Sequence, residues 1–273
     1  MLRGARSHIF FVLTILTFVV VPFLFWRGTW FGRSLTESQM GQYLSDWNKP
    51  RKIQHALVQI EKRMISGDQE LRHWYPNVQK VARHPSKEVR LTAAWVMGQD
   101  TSFAPFHDDL KGLLHDEQPM VRRNAALSLV RFHDISGKPE ILSMLQPISV
   151  RSSTGGQLAF QTSKGDELKP GQVLAKIQAN GKTNEVLSPI SGIAGEQFAR
   201  TGELVRPGQE LMAVLPDDAQ LWEALRALFL VGTKDDLPQM EKFTSPAYSE
   251  HVRAQARETI RNIQLRSGLS SSR

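Results

Sequence analysis

Three histidine–aspartate pairs come nearest to metal-binding chemistry in this sequence. They are His107-Asp108, His115-Asp116 and His133-Asp134. A zinc site needs three or four convergent ligands, usually at close helical spacing. Here the histidines of successive pairs are 8 and 18 residues apart and fall at expected helix ends. Histidine and aspartate commonly serve turns and helix termini, so we interpret these pairs as structural and expect no metal.

Other catalytic signatures are missing from the sequence. The absence of cysteine excludes disulfides, thiolate metal sites, iron–sulfur clusters and a cysteine nucleophile. There is no serine nucleophile elbow, P-loop or dinucleotide fingerprint. We therefore expect no catalytic residue and no cofactor, and a protein that is not an enzyme.

Composition and charge bound the class of protein. The chain has 273 residues, 41% of them hydrophobic, which is enough for packed cores and excludes global disorder. The formal charge is +7, but residues 1–33 hold four arginines and no acid, so the remainder carries only +3. No basic stripe alternates with aromatic residues, so we expect no nucleic-acid partner.

Residues 1–33 predict an N-terminal membrane anchor. Twenty residues from Ser7 to Trp26 carry no formal charge, and a helix of that length spans ~30 Å. Bulky residues follow the apolar run, where a cleaved signal peptide would need small ones. We therefore predict a transmembrane helix at about 7–26, a bacterial inner-membrane location and a soluble body in the periplasm.

A helical pattern recurs after this segment. Three stretches begin with the same Val-Arg pair and continue an apolar stripe at four-residue spacing: Val89/Ala93/Met97, Val121/Ala125/Leu129 and Val252/Ala256/Ile260. Such spacing places the three residues on one helix face. A shorter amphipathic helix and a polar turn precede each stretch. A helix pair of this length must stack on neighbours to bury its apolar face, which predicts a solenoid.

The Val-Arg-x-x-Ala start of the second helix resembles that of HEAT repeats. This resemblance implies protein-interaction surfaces. In HEAT repeats an Asp in the turn often pairs with the Arg, so it also implies a pair between Asp116 and Arg122. The turns before Arg90 and Arg253 have no Asp at that spacing.

A β module is predicted at 147–216, inside one helix pair. Two halves repeat with a period of 37: the stretch 165–174 matches 202–211, Ile177 matches Val214, Val150 matches Leu187, and Gly155 matches Gly192. Pro-Gly pairs indicate tight turns, and Asn180-Gly181 indicates a two-residue hairpin. These residues resemble a biotinyl/lipoyl domain, a barrel-sandwich hybrid, and the second half is similar to that of membrane-fusion adaptor proteins.

The resemblance raises Lys182 as a candidate site for covalent biotin or lipoate. In carriers of this family the modified lysine lies four residues after a strand-ending Ile and four before an acid. Counting from Ile177, or back from Glu185, reaches Gly181, so Lys182 is displaced by one residue. The flanking residues typical of biotin and lipoyl carriers are also absent. We therefore expect an unmodified module, with a solvated turn lysine.

Together these patterns predict a multidomain α plus β protein. Its predicted parts are a membrane anchor (1–33), a HEAT-like α-solenoid (34–146), the inserted all-β module (147–216), the continued solenoid (217–265) and a flexible tail (266–273). The predicted function is a non-catalytic scaffold or adaptor of an envelope complex. Its predicted partners are the membrane and proteins such as a transporter or another envelope complex. Two alternatives stay open: a carrier subunit of a carboxylase or dehydrogenase that uses Lys182, and an enzyme of the HEAT-like lyase kind.

Overall fold

A computed structural model describes residues 34–179 and 181–268. Contacts divide the chain into two compact units, one ending at Val96 and one beginning at Met97. The predicted anchor and most of the predicted tail lie outside the described residues.

The predicted fold class and location need correction. No helix in the described ranges, 34–179 and 181–268, is both long and apolar enough to cross a membrane. The fold class with a transmembrane helix is therefore wrong as a description of this structure, which consists of helices and two small antiparallel sheets. The single-pass inner-membrane location is withdrawn on the same finding, because it rested only on the apolar run at about 7–26.

The first unit is helical. Its elements are α1 (Glu37–Ser45), α2 (Pro50–Ile65), a 3₁₀ turn (Gln69–Trp74), α3 (Tyr75–Val81) and α4 (Lys87–Met97), which reaches the unit boundary. Thr36 begins α1 with a capping box that it shares with Gln39. Arg63 and Trp74 both donate to the Glu37 carboxylate, at 2.5 and 2.8 Å, and these bonds join the first helix to the next two elements.

The second unit contains six α-helices among its described residues, together with 3₁₀ turns at Lys234–Asp236 and Lys242–Thr244. The α-helices are α5 (Ala104–Leu113), α6 (Pro119–Arg131), α7 (Lys138–Ser143), α8 (Asp218–Val231), α9 (Leu237–Glu241) and α10 (Glu250–Arg266). The predicted apolar stripe of α6 is fully buried, as is most of the stripe of α10. One apolar cluster joins α6, α7, α8, α9 and α10. Paired helices therefore share a continuous core, as expected of stacked repeats.

The arginine of the Val-Arg start has a repeated role. In the first unit, Arg90 donates through Nη1 to the carbonyls of His84 and Pro85, both at 2.9 Å. In the second unit, Arg122 donates through Nη1 to the carbonyls of Asp116 and Glu117, at 2.9 and 3.3 Å. Each arginine therefore closes the turn before its own helix by satisfying main-chain carbonyls.

The expected side-chain pair between Asp116 and Arg122 is replaced by other contacts. Arg122 binds the Asp116 carbonyl, and its Nε lies 3.2 Å from the Glu140 carboxylate. The Asp116 carboxylate accepts the backbone N–H of Gln118 at 2.8 Å, which caps the turn. The turn N–H is closer in sequence to the carboxylate than the arginine is, so the local bond forms instead.

The inserted region is a sandwich of two four-stranded antiparallel sheets. Its strands are β1 (Ile148–Arg151), β2 (Gly156–Phe160), β3 (Glu167–Leu168), β4 (Val173–Ala179), β5 (Lys182–Leu187), β6 (Gly192–Gln197), β7 (Leu204–Val205) and β8 (Glu210–Leu215). The sheet orders are β1-β8-β6-β3 and β5-β4-β2-β7. Because the first and last strands pair, the chain enters and leaves the module at one place, between α7 and α8.

The two halves of the module are related by quasi-symmetry, but part of the predicted alignment of one half with the other is wrong by one residue. A Cβ on Gly156 would lie 2.3 Å from the Gln178 carbonyl oxygen, and a Cβ on Gly192 would lie 2.3 Å from that of Leu215. Gln178 and Leu215 are 37 positions apart. The structural equivalent of Gly192 is therefore Gly156, and not Gly155 as predicted.

The strand pairs give the reason for this shift. Ala175 pairs with Val186, and its equivalent Met212 pairs with Val150. The equivalent of Val150 is thus Val186, and not Leu187. An irregularity in β6, between Ala194 and Gln197, adds one residue that the regular pairing of β2 with β4 lacks. A single β-bulge therefore changes the offset between the halves from 36 to 37.

Candidate functional site

Arg123 occupies an unusual position on α6. It follows Arg122 directly, yet only 3% of its surface is exposed, whereas Arg122 reaches the turn before the helix. Leu91 and Ala254 stand at the equivalent positions of the other two Val-Arg stretches. A buried charge at a position that needs only a small or apolar side chain is costly, so its surroundings are of interest.

Arg123 is part of a buried hydrogen-bond chain. Its Nη1 donates to the Oε1 of Gln220 at 2.7 Å. The Nε2 of Gln220 donates in turn to the carbonyl of Met144 at 2.7 Å. Asp217 accepts the backbone N–H of Gln220 at 2.8 Å and thereby caps α8. These bonds join α6, the end of α7 and the start of α8, which are the elements on both sides of the β insertion.

The other edge of the Arg123 guanidinium is not hydrogen-bonded. Among the described residues no group accepts a hydrogen bond from Nε or Nη2 of Arg123. The nearest carboxylate oxygen, Oε1 of Glu140, lies 3.9 Å from Nε. Burial lowers the pKa of Arg123, and the negative charge of Glu140 opposes this effect. The structure therefore holds a buried cation with two unused donors.

A cleft of about 520 Å³ opens beside this arginine. Its lining comes from α6, the segment after α7, the β5–β6 turn, the start of α8 and the start of α10: Met120, Arg123, Asn124, Leu127, Met144, Ser191, Asp217, Asp218, Ala219, Gln220, Trp222, Glu223 and His251. Helices and β module thus both contribute to its walls, which is typical of binding sites at junctions between substructures.

The rim of the cleft is aromatic and acidic. The rings of Trp222 and His251 are stacked, with centroids 5.0 Å apart and an interplanar angle of 19°. Asp218 and Glu223 on α8 are exposed. Loss of hydration in the packed surroundings raises the pKa of the Glu223 carboxyl, while the charge of Arg226 acts in the opposite direction. The carboxylates of Asp218 and Glu223 at the rim favour a positively charged group in a ligand.

The structure brings two of the three histidine–aspartate pairs together. Nε2 of His107 lies 2.6 Å from Oδ2 of Asp134, which links α5 to the turn after α6. The same aspartate accepts the backbone N–H of Ser136 at 2.6 Å. In residues 34–179 and 181–268, no three His, Asp or Glu side chains are grouped closely enough to hold a metal ion. The hydrogen bonds of His107 and Asp134 therefore belong to a helix and to the turn after a helix.

Lys182 lies at the start of β5 and is exposed. It pairs with Ala179 across the β4–β5 hairpin, so Lys182 is the first paired residue after the turn. Gly181 has a φ of 72°, as such a turn requires. The lysine is thus a strand residue beside the hairpin tip.

Sequence reasoning missed both Arg123 and Gln220. A signal for Arg123 was present, because a second charged residue interrupts the Val-Arg-x-x-Ala pattern only in this stretch. No comparable signal marks Gln220, which lies 97 residues from its partner arginine. The cleft depends on that long-range contact.

Comparisons with known proteins agree with the helical part of this description. The family of HEAT repeats matches residues 75–153. This match supports the helical repeats that were predicted from the Val-Arg-x-x-Ala pattern. A comparison with curated protein sequences found no match.

Among solved structures, the chain is similar to a single-chain, multi-domain long-chain acyl-CoA carboxylase. The identity is 14%, the TM-score is 0.25, and the match covers 35% of this chain and 10% of the carboxylase. The chain therefore spans about a tenth of the length of that protein.

Proposed function

We propose that this chain is a non-catalytic scaffold that binds protein partners through its HEAT repeats and its β module, and that the module carries no covalent cofactor. The observation that carries the proposal is the fixed attachment of the module. A carrier must move its cofactor between reaction centres, whereas a scaffold must hold its binding surfaces in place.

Packing supports this fixed attachment. Met120 of α6 and Ile148 at the entry to the module both pack against the apolar core of the sandwich. The entry and exit strands pair with each other, with Ile148 opposite Val214. The module is therefore connected to the helices by two short chain segments and by a shared apolar contact.

The hairpin geometry supports an unmodified module. Lys182 is held in the β4–β5 ladder, where it pairs with Ala179. A ligase that attaches biotin or lipoate reads the hairpin tip, whereas Lys182 is a paired strand residue beside that tip. The alternative, a carrier that uses Lys182, requires recognition of a paired strand residue.

Intact-mass measurement of the full chain from its native host tests the absence of a cofactor. We expect the unmodified mass, and the Lys182→Arg variant provides the matched control. An added biotin or lipoyl mass that disappears in this variant would overturn the unmodified assignment.

Crosslinking of the full chain in its host, followed by mass spectrometry, tests the scaffold role. We expect links to another protein both from module lysines such as Lys164 and from helical lysines such as Lys111. The purified chain, denatured and then added to a lysate of the host before crosslinking, gives the background. If all links above background lie within the chain, the scaffold proposal is wrong.

A further inference from the structure

We propose that the cleft beside Arg123 binds a partner segment through a carboxylate, which the unused edge of the Arg123 guanidinium receives. This inference rests on the proposed scaffold function and specifies the chemistry of the partner. The segment combines an aspartate or glutamate with a basic neighbour and an apolar residue.

The unused edge of Arg123 has the geometry for a carboxylate. Nε and Nη2 point to the same side of the planar guanidinium, and both lack an acceptor among the described residues. Their two parallel N–H bonds match the two oxygens of a carboxylate. Buried donors without an acceptor are unfavourable, so a ligand that satisfies both gains from the contact.

Glu140 is the internal competitor for this edge. Its Oε1 is 3.9 Å from Nε, beyond hydrogen-bond distance. Its other oxygen lies 3.2 Å from Nε of Arg122. A complete two-bond contact with Arg123 would require Glu140 to leave Arg122, so an external carboxylate faces limited competition.

Access to the edge requires a movement of the cleft wall. Nε and Nη2 of Arg123 are covered in this structure. Gln220 lines the cleft and holds Nη1 of the same guanidinium. Rotation of the Gln220 side chain would release Nη1 and let the guanidinium turn its Nε and Nη2 toward the cleft, where the ligand carboxylate accepts from both.

The rim determines what else the ligand carries. Asp218 and Glu223 are exposed acids at the cleft, so a polyanion such as nucleic acid is repelled, whereas a basic side chain next to the carboxylate is attracted. Met120, Leu127 and Met144 provide an apolar wall. The complementary ligand is a short polypeptide segment of mixed charge with one apolar side chain.

A peptide titration tests the proposal on the full chain. The chain is labelled with fluorotryptophan, and the fluorine resonance of Trp222, one of six tryptophans, is assigned with a Trp222→Phe variant. The probes are the capped tripeptides Leu-Glu-Lys and Leu-Gln-Lys. We expect saturable movement of the Trp222 resonance with the glutamate peptide and binding about tenfold weaker with the glutamine peptide.

Two variants place the effect on Arg123. Arg123→Gln removes the donors, and Gln220→Glu places an internal carboxylate beside the guanidinium without removing the arginine. We expect both to lower the affinity for Leu-Glu-Lys about tenfold, while the control Arg131→Gln, on the same helix, leaves it unchanged. Gln220→Glu keeps the test valid if Arg123→Gln does not fold.

Three results would overturn the inference. They are equal binding of the two peptides, no response of Trp222 to either peptide, and unchanged affinity in the Gln220→Glu variant. None of them bears on the scaffold proposal itself, because crosslinking of partners at other surfaces is measured separately.

Discussion

The helical repeats and the β module both contain an internal repeat, but different groups hold the repeated units together. In the helices, Arg90 and Arg122 each use a side chain to close the turn before their own helix. In the module, Gly156 and Gly192 each let two strands approach until no Cβ would fit. The unfolding free energy should therefore depend most on polar side chains in the helices and on close main-chain contacts in the sandwich.

The two regions also differ in the range of their contacts. Arg122 reaches carbonyls five and six residues away. Gly192 lies against Leu215, on a neighbouring strand. Local side-chain bonds can be lost one at a time, whereas a strand contact cannot be lost without moving the ladder. The predictions below test this difference.

The largest expected effect is that of Gly192→Ala in the module. The new Cβ would lie 2.3 Å from the Leu215 carbonyl oxygen and 2.9 Å from Cγ1 of Val214. Because the oxygen belongs to the paired strand, the ladder must shift, and we expect a loss of about 3 kcal/mol in unfolding free energy. Hydrogen exchange of the β6 and β8 amides measures it.

The matched control is Gly112→Ala in the helices. Gly112 is a helical residue in α5, and apart from its chain neighbours and the backbone of its own helix no atom lies within 4 Å of its added Cβ. We expect stabilisation by about 0.5–1 kcal/mol. A similar loss in both variants would show that the contrast between the two regions is wrong.

The next largest effect is expected for Asp236→Asn in the helices. Asp236 is buried and accepts hydrogen bonds from the backbone N–H of Thr233 at 2.7 Å and from Nζ of Lys138 at 3.0 Å. Burial acts to raise the pKa of Asp236, but these bonds outweigh it and lower the pKa below its ordinary 3.8. We expect the unfolding free energy of this variant to be about 2 kcal/mol lower at neutral pH.

The pH dependence of this effect has a definite sign. Because the pKa of Asp236 is lowered in the folded state, its contribution is complete above the ordinary pKa and is lost as pH falls through the folded value. The difference in unfolding free energy between wild type and Asp236→Asn, measured in urea, should therefore become smaller at acid pH. The exposed neighbour supplies the control, Asp235→Asn, for which we expect no comparable effect.

A smaller effect is expected for Arg122→Ala. The variant loses two hydrogen bonds to turn carbonyls and the contact with Glu140. Because the Arg122 side chain is only 28% exposed, we expect the unfolding free energy in urea to fall by about 1–2 kcal/mol. Arg253 holds the same place in its repeat but binds the exposed carboxylate of Glu250. Arg253→Ala should cost about 0.5 kcal/mol. Equal losses would mean that the carbonyl contacts are not what matters.

The smallest effect is expected for Arg151→Gln on the module. Arg151 pairs with Glu210 at 2.6 Å, but the two side chains are 62% and 46% exposed. Water and salt screen such a pair, so we expect a change below about 0.5 kcal/mol in urea unfolding. A loss as large as that of Arg122→Ala would contradict the view that polar side chains matter less in the sandwich.

Much of the local structure could be predicted, because its signals are local. Apolar residues four apart, with breakers between them, predicted the helix that begins near Val121. Asn180-Gly181 predicted the hairpin between β4 and β5. The alignment of the module halves failed by one residue at Gly192, because the bulge in β6 has no distinct residue signature. The membrane helix was inferred from the uncharged apolar run at about 7–26 and the bulky residues that follow it, and the described structure contains no such helix.

The candidate site could not be predicted to the same degree. The sequence marks Arg123 as a second charged residue after the Val-Arg start, but not as a buried one. Only the return of the chain after the β insertion places Gln220 against it, 97 residues away. No periodicity or motif reports a contact between segments that are separated by an inserted module.

The sequence by itself determined the helix starts, the turns and the two-fold repetition within the module, because residues close in the chain decide capping, periodicity and turn geometry. The tertiary structure decided which strands face each other, where β6 bulges, and that Arg123 is buried beside a cleft. The physical reason is distance along the chain. Packing across many residues selects one register and one partner among several that local chemistry allows equally.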